Sequence, residues 1–174
     1  VLEQKVRTVM NKPQGDITAK EAETVTSLDL NNKDNKPEES IQSIAALSYF
    51  KNLKELDVGL NNISDLSPLK GLTKLEKYYS MNGNHNLTDF SPLSGLTNMK
   101  DLTILGNKHI DNTNIKFLEK MTGMLSLWIQ DASELSDISV VTNLTELGCL
   151  RFTKCNIKDV SPIAKLQKLH TLTL

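Results

Sequence analysis

Cysteine is scarce in this chain: Cys149 and Cys155 are the only two in 174 residues. Two cysteines are too few for a disulfide framework, so no redox compartment can be read from them. There is no excess of charge either, with 20 basic against 21 acidic side chains and a formal net charge of -1. Lys and Arg do not gather in the sequence as they do in proteins steered onto phosphate backbones, which argues against nucleic acid as a partner. No apolar run approaches the length needed to insert into a bilayer. The start, Val1-Leu2-Glu3-Gln4-Lys5, lacks the form of a signal peptide, so in an exported protein that segment would already have been removed. G-x-S-x-G, H-E-x-x-H and phosphate-loop glycine clusters are also missing, and neither catalysis, a cofactor nor a bound metal is expected. What remains, 39% hydrophobic and 24% charged residues, suits one folded domain.

That domain is built by repetition. The phrase L-x-x-L-x-L recurs as Val25-x-x-Leu28-x-Leu30, Leu53-x-x-Leu56-x-Val58, Leu75-x-x-Tyr78-x-Ser80 and Met99-x-x-Leu102-x-Ile104. It continues as Met124-x-x-Leu127-x-Ile129, Leu147-x-x-Leu150-x-Phe152 and Leu169-x-x-Leu172-x-Leu174. Successive starts are 28, 22, 24, 25, 23 and 22 residues apart, a 22-residue unit with loop insertions. The alternation of apolar and polar residues in this phrase is the period of a strand.

The second half of the unit repeats as faithfully. Ile63-Ser-Asp-Leu66-Ser-Pro-Leu69-Lys-Gly-Leu72 is echoed from Leu87 to Leu96, from Leu135 to Leu144 and from Ile157 to Leu166. Apolar residues at every third position suit a 3₁₀-like turn, in which side chains at i and i+3 point one way. Each unit is therefore a short strand, a turn and an irregular return, and one unit cannot bury its aliphatic face until others stack on it. The fold class that follows is α/β: a right-handed leucine-rich-repeat solenoid with short parallel strands on the concave face and 3₁₀ or irregular segments on the convex one. Once-per-turn Asp65, Asp89, Asp137 and Asp159 are better explained by repeat shape than by catalysis.

At Asn61-Asn62-Ile63-Ser64-Asp65-Leu66-Ser67-Pro68-Leu69-Lys70-Gly71-Leu72-Thr73 the chain resembles the internalin-type leucine-rich repeats of Gram-positive surface and secreted proteins. The resemblance runs over nearly the whole chain. It implies a secreted or cell-surface recognition protein whose coils are linked by a ladder of buried asparagines. Asn61 and Asn107 occupy the ladder position, Asn84 matches it across an insertion, the fifth coil shows no clear counterpart, and Cys155 stands there in the sixth.

Residues 1-24 read as an N-terminal helical cap and 25-174 as the solenoid, with six complete coils and the start of a seventh. Leu2, Val6, Val9 and Met10 fall on one helical face that ends at Asn11 and Pro13. Thr18 and Glu21 have capping-box spacing, with Ile17 and Ala22 as the staple. Because the chain stops at Leu174 inside a strand, a longer protein is expected.

His85 and His109 occupy matching loop positions but lack a third ligand, and solvated loop histidines account for them better than a metal does. Cys149 and Cys155 should point in opposite directions and stay free. Strand alternation places Asp29, Asp57, Tyr79, Thr103, Trp128, Arg151 and Thr173 in one concave column, and Asn31, Gly59, Met81, Leu105, Gln130 and Thr153 in the next. Tyr79, Met81, Leu105 and Trp128 form the expected partner-binding patch, with Asp57, Lys77, Asp101 and Arg151 as its polar surround. The reading is a non-catalytic adhesin-like module that binds a host or neighbouring-cell protein. The alternative is the targeting domain of a larger secreted enzyme or transport protein.

Overall fold

The computed structural model spans residues 1-174 and describes all of them except Met81. Helix α1 (Leu2–Val9) opens the chain, with Val6 buried and Leu2 and Met10 half-buried against the core. Val9, expected on the same face, is 46% exposed. At about 100° per residue Val9 lies about 60° round the helix from buried Val6, at the edge of the buried stripe. Lys5 ties α1 to the first coil by donating from Nζ to the carbonyls of Leu30 at 3.3 Å and Asn31 at 2.7 Å.

Helix α2 (Ala19–Ala22) is a single turn nucleated by its cap. The Glu21 amide donates to Thr18 Oγ1 at 3.3 Å, and the Thr18 amide donates to the Glu21 carboxylate at 2.8 Å. Ala22 is buried and Ile17 packs beside it on the core. A hydrogen bond from Lys12, followed by the Thr18 amide, holds the Glu21 carboxyl down at about 2.

Seven strands follow: β1 (Ser27–Asp29), β2 (Glu55–Asp57), β3 (Lys77–Ser80), β4 (Asp101–Ile104), β5 (Ser126–Gln130), β6 (Cys149–Thr153) and β7 (Thr171–Thr173). They form one parallel sheet in chain order, each paired with its sequence neighbours. The register aligns Leu28, Leu56, Tyr78, Leu102, Leu127 and Leu150 in one inward row, none more than 1% exposed. Fully burying one such side chain stabilises by roughly 1.5 to 3 kcal/mol, and each is shielded only because the coils on either side supply the cover.

The return segments are 3₁₀ turns, such as Ser67–Leu69, Ser91–Gly95, Ser139–Asn143 and Ser161–Lys165. Each is entered through an aspartate that accepts an amide hydrogen bond two residues on: Asp65 from Ser67 at 2.7 Å, and Asp89, Asp137 and Asp159 from Ser91, Ser139 and Ser161 at 2.8 Å. These aspartates shape the turn, since a short carboxylate satisfies an amide that the turn itself leaves unpaired.

The corners after the strands are built in two ways. In coils two to four they close on buried asparagines. Asn61 donates to the carbonyls of Leu30 at 2.9 Å and of Val58 and Gly59 at 3.0 Å, and accepts from the Ile41 amide at 2.9 Å. Asn84 repeats this by donating to Val58 O and accepting from the Ile63 amide, and Asn107 donates to the carbonyls of Asn84 and Leu87. Asn84 reaches the ladder because the extra residue ahead of it is absorbed by positive φ at Asn82, Gly83 and Asn84. Gly83 sits at φ +114, and a β-carbon there would stand 2.8 Å from Leu60 Cα, so only glycine fits. In the fifth coil the position belongs to fully buried Ala132. In the sixth the Cys155 thiol donates to Thr153 O at 3.5 Å and Ile129 O at 3.9 Å. Burial raises the pKa of this thiol. Cys149 and Cys155 are both free.

Candidate partner-binding surface

The outward side chains of the strands form the concave face, and the observed register puts Asp29, Asp57, Tyr79, Thr103, Trp128, Arg151 and Thr173 in one column, as alternation implies. Its centre of gravity is Trp128, half-buried on β5. The Trp128 indole Nε1 donates to Thr153 Oγ1 at 3.3 Å, while Arg151 Cζ lies 5.2 Å from the ring centroid. Arg151, expected in the polar surround, stacks on the ring instead. Adjacent coils put the two residues one strand spacing apart, and a guanidinium plane is attracted to an indole face.

The pair is held from behind. Thr153 Oγ1 donates to Gln130 Oε1 at 3.3 Å, Gln130 Nε2 donates to Asp131 Oδ2 at 3.0 Å, and Lys154 Nζ lies 3.2 Å from Asp131 Oδ1. Asp131 and Lys154 are not found by reading the sequence. Both stand at positive-φ corners just past the strand, where alternation no longer says which way a side chain points.

Tyr79 is half-exposed two coils earlier and donates from its hydroxyl to Asp101 Oδ2 at 3.1 Å. Partial burial, followed by the negative charge of Asp101, pushes the Tyr79 phenol up to about 12. Lys77 Nζ lies 2.7 Å from Glu55 Oε1, and that hydrogen bond raises the ammonium's pKa. Asp57 turns toward the first coil, accepting from Asn31 Nδ2 at 3.1 Å and from the Gly59 amide at 2.8 Å. Asp57 lies three strand spacings, about 14 Å, from Trp128 and does not join the cluster around it.

Leu105, expected as an exposed apolar contact, is only 6% exposed, and Thr103 is equally covered. On an inward-curving sheet the flanking side chains lean over a mid-sheet residue, and Thr103 lies in register between Tyr79 and Trp128. Met81, the remaining expected contact, falls outside the described residues. Among the described residues no group of three or more His, Cys, Asp or Glu side chains is arranged to hold a metal ion. No described helix is long and apolar enough to cross a membrane.

Comparison with solved structures places this geometry. An internalin from Listeria monocytogenes, InlF, superposes with a TM-score of 0.85 over 98% of this chain at 33% sequence identity. The chain is homologous to the Listeria internalins. It spans 48% of that internalin's length. Two further internalin-type structures from the same organism share the fold. A secreted internalin-like protein matches with a TM-score of 0.74 at 23% identity, covering 97% of this chain and 60% of its own. The internalin InlC2 matches with a TM-score of 0.60 at 22% identity, covering 99% of this chain and 92% of its own. No protein-family model matches the sequence, and no curated protein matches it. The internalin likeness agrees with the seven-strand solenoid and the capped N-terminal end described above.

Proposed function

We propose that this internalin homologue is a non-catalytic recognition module, exported to the cell surface or released, and that it binds a partner protein on its concave face. The observation that carries the reading is the Trp128–Arg151 stack, a half-exposed aromatic and cation on a face that the aliphatic core does not need. Trp, Tyr and Arg are the residue types on which binding energy concentrates when neighbouring contacts exclude water. Homology to internalins supports recognition as the role, and one structural relative is named as a secreted protein. The network through Thr153, Gln130 and Asp131 fixes the ring before a partner arrives, which lowers the ordering cost of binding.

Tyr79 with Asp101, and Lys77 with Glu55, extend the surface toward the first coils, where Asp57 lies; these charges set approach and partner choice more than affinity. The test is affinity for a protein captured from host-cell surface extract, measured with Trp128→Ala, Tyr79→Ala and the convex control Lys120→Ala. Trp128→Ala should bind at least about thirtyfold more weakly, with the unfolding midpoint within a few degrees of wild type. Equal losses in Trp128→Ala and Lys120→Ala would reject the concave face as the binding site.

A further inference from the structure

Three lysines scattered in the sequence meet on one edge of the solenoid. Lys54 precedes β2, Lys74 precedes β3 and Lys100 precedes β4, all with exposed side chains. Lys74 Nζ donates to Asn52 Oδ1 at 2.6 Å. Lys54 and Lys100 reach the same carboxylate from opposite coils, lying 3.6 Å and 3.0 Å from Glu76. Lys54, Lys74, Glu76, Asn98 and Lys100 line a shallow depression of about 390 Å³. The hydrogen bond from Lys100, with its charge, lowers the carboxyl pKa of Glu76, so the one acid in the strip stays ionised. Three ammoniums against one carboxylate leave an excess of two positive charges in this depression, on a chain whose net charge is -1.

We infer that this edge is a second binding surface, distinct from the concave face, and that it takes a linear sulfated glycan. The cations are arranged for a chain of anions. They recur once per coil, about 4.8 Å apart along the stack, and so run about 10 Å across three coils without converging on a point as a single-phosphate site would. All are lysines, compact charges on flexible stems; there is no guanidinium fork for bidentate recognition of one planar anion. The depression is lined by no aromatic ring on which nucleobases could stack. It also lacks the large buried anchors that dominate a protein interface. Asn98 lines the same depression; its Nδ2 donates to Thr73 O at 2.8 Å, which leaves Oδ1 to accept from a sugar hydroxyl, a group that would be idle against bare polyphosphate. At the next coil the strip ends on exposed Leu125.

The experiment is a titration of the folded chain with a size-defined heparin decasaccharide, alongside inorganic polyphosphate, poly-glutamate and oligothymidylate of matched charge. The glycan should bind at least tenfold tighter than the other three. With three phosphate-like contacts neutralised on a flexible polyanion, its affinity should fall about twentyfold between 50 and 200 mM salt. The variant Lys54→Ser/Lys74→Ser/Lys100→Ser should lose at least thirtyfold, while the equal-charge control Lys120→Ser/Lys158→Ser/Lys165→Ser stays within threefold of wild type. Glu76→Gln should bind threefold or more tightly, a gain that a purely structural role for these side chains would not produce. Trp128→Ala should bind the glycan as wild type does, which separates this surface from the concave one. Equal losses in both lysine triples, or equal affinity for all four polyanions, would reduce the strip to unspecific charge and overturn the assignment.

Discussion

Coils two to four and coils five and six are closed by different chemistry around a common core. In the earlier coils each corner buries an asparagine whose side-chain amide bonds to surrounding backbone, with four partners at Asn61, while in the later ones Ala132 and Cys155 fill the same place with almost no hydrogen bonding. The inward row does not change between them, and the 3₁₀ turns are entered through an aspartate in both halves. The corner can therefore be closed by polar satisfaction or by packing, because what it must achieve is the burial of backbone groups without leaving them unpaired. The two proposed binding surfaces follow the same division: the lysine edge lies on the earlier coils and the Trp128–Arg151 stack on the later ones.

If the core is common to both halves, truncating it should cost the same in each. Leu102→Ala and Leu127→Ala remove fully buried side chains one register step apart, and each should destabilise by about 2 to 5 kcal/mol. Chemical denaturation would show it, and costs differing by more than about 2 kcal/mol would mean that the two halves do not share a core.

The corners themselves should respond unequally. Asn61→Ala leaves the Ile41 amide without a partner and takes one donor from each of the Leu30, Val58 and Gly59 carbonyls, which keep Lys5 Nζ, Asn84 Nδ2 and the Asn32 amide. At about 1 to 3 kcal/mol for the one buried group left unsatisfied, with the carbonyl bonds lost beside it, the loss should exceed about 2 kcal/mol. Cys155→Ala removes two long, weak thiol contacts and should cost less than about 1 kcal/mol. Similar losses in the two variants would mean that the asparagine ladder is dispensable.

Acid should act on both halves alike. Hydrogen bonds from the following serines hold the carboxyl pKa of Asp89, Asp137 and Asp159 below the ordinary value, and Glu21 is held at about 2. A carboxylate whose folded pKa is depressed contributes stability that is present above its unfolded pKa and lost as pH falls through the folded one. The unfolding midpoint should hold steady above about pH 5 and fall toward pH 2. Asp89→Asn in the third coil and Asp137→Asn in the fifth should flatten that fall equally; a flattening confined to one half would place the acid sensitivity elsewhere.

Much of this architecture was legible from period alone, since alternation specifies which side of a strand each residue takes. The buried row from Leu28 to Leu150 and the concave column through Trp128 both follow from it. What period does not encode is curvature and rotamer. Leu105 points to the concave side and is still covered, and Arg151 folds onto Trp128 where it could have stood free. The lysine edge was hidden for a different reason: residues 54, 74 and 100 are dispersed along the chain and become neighbours only when 22-residue units stack.

The smallest effect tests the one place where the earlier coils bring a polar group into the core itself. Tyr78 takes a leucine position, is fully buried, and its hydroxyl makes no hydrogen bond of normal geometry: it lies near Ser80 Oγ, which accepts from Asn84 Nδ2. Burial raises the phenol pKa, so the folded state holds it neutral where an unfolded chain would ionise. A phenol of this kind contributes stability that is complete below the unfolded value near 10 and is lost as pH rises beyond it. Tyr78→Phe keeps the ring and removes the unpaired hydroxyl, so it should be neutral or stabilising by up to about 1 kcal/mol at pH 7. That corresponds to a rise of roughly 2 to 4 °C in the unfolding midpoint for a chain of this size. The variant should also lose less stability than wild type above pH 10, leaving Tyr79 as a remaining contributor to the alkaline loss. Thermal unfolding at pH 7 and at pH 10.5 decides the matter. A loss of more than about 1 kcal/mol at neutral pH would show that the hydroxyl is bonded in solution, and that the third coil pays for its buried tyrosine with a partner as the corners do with their asparagines.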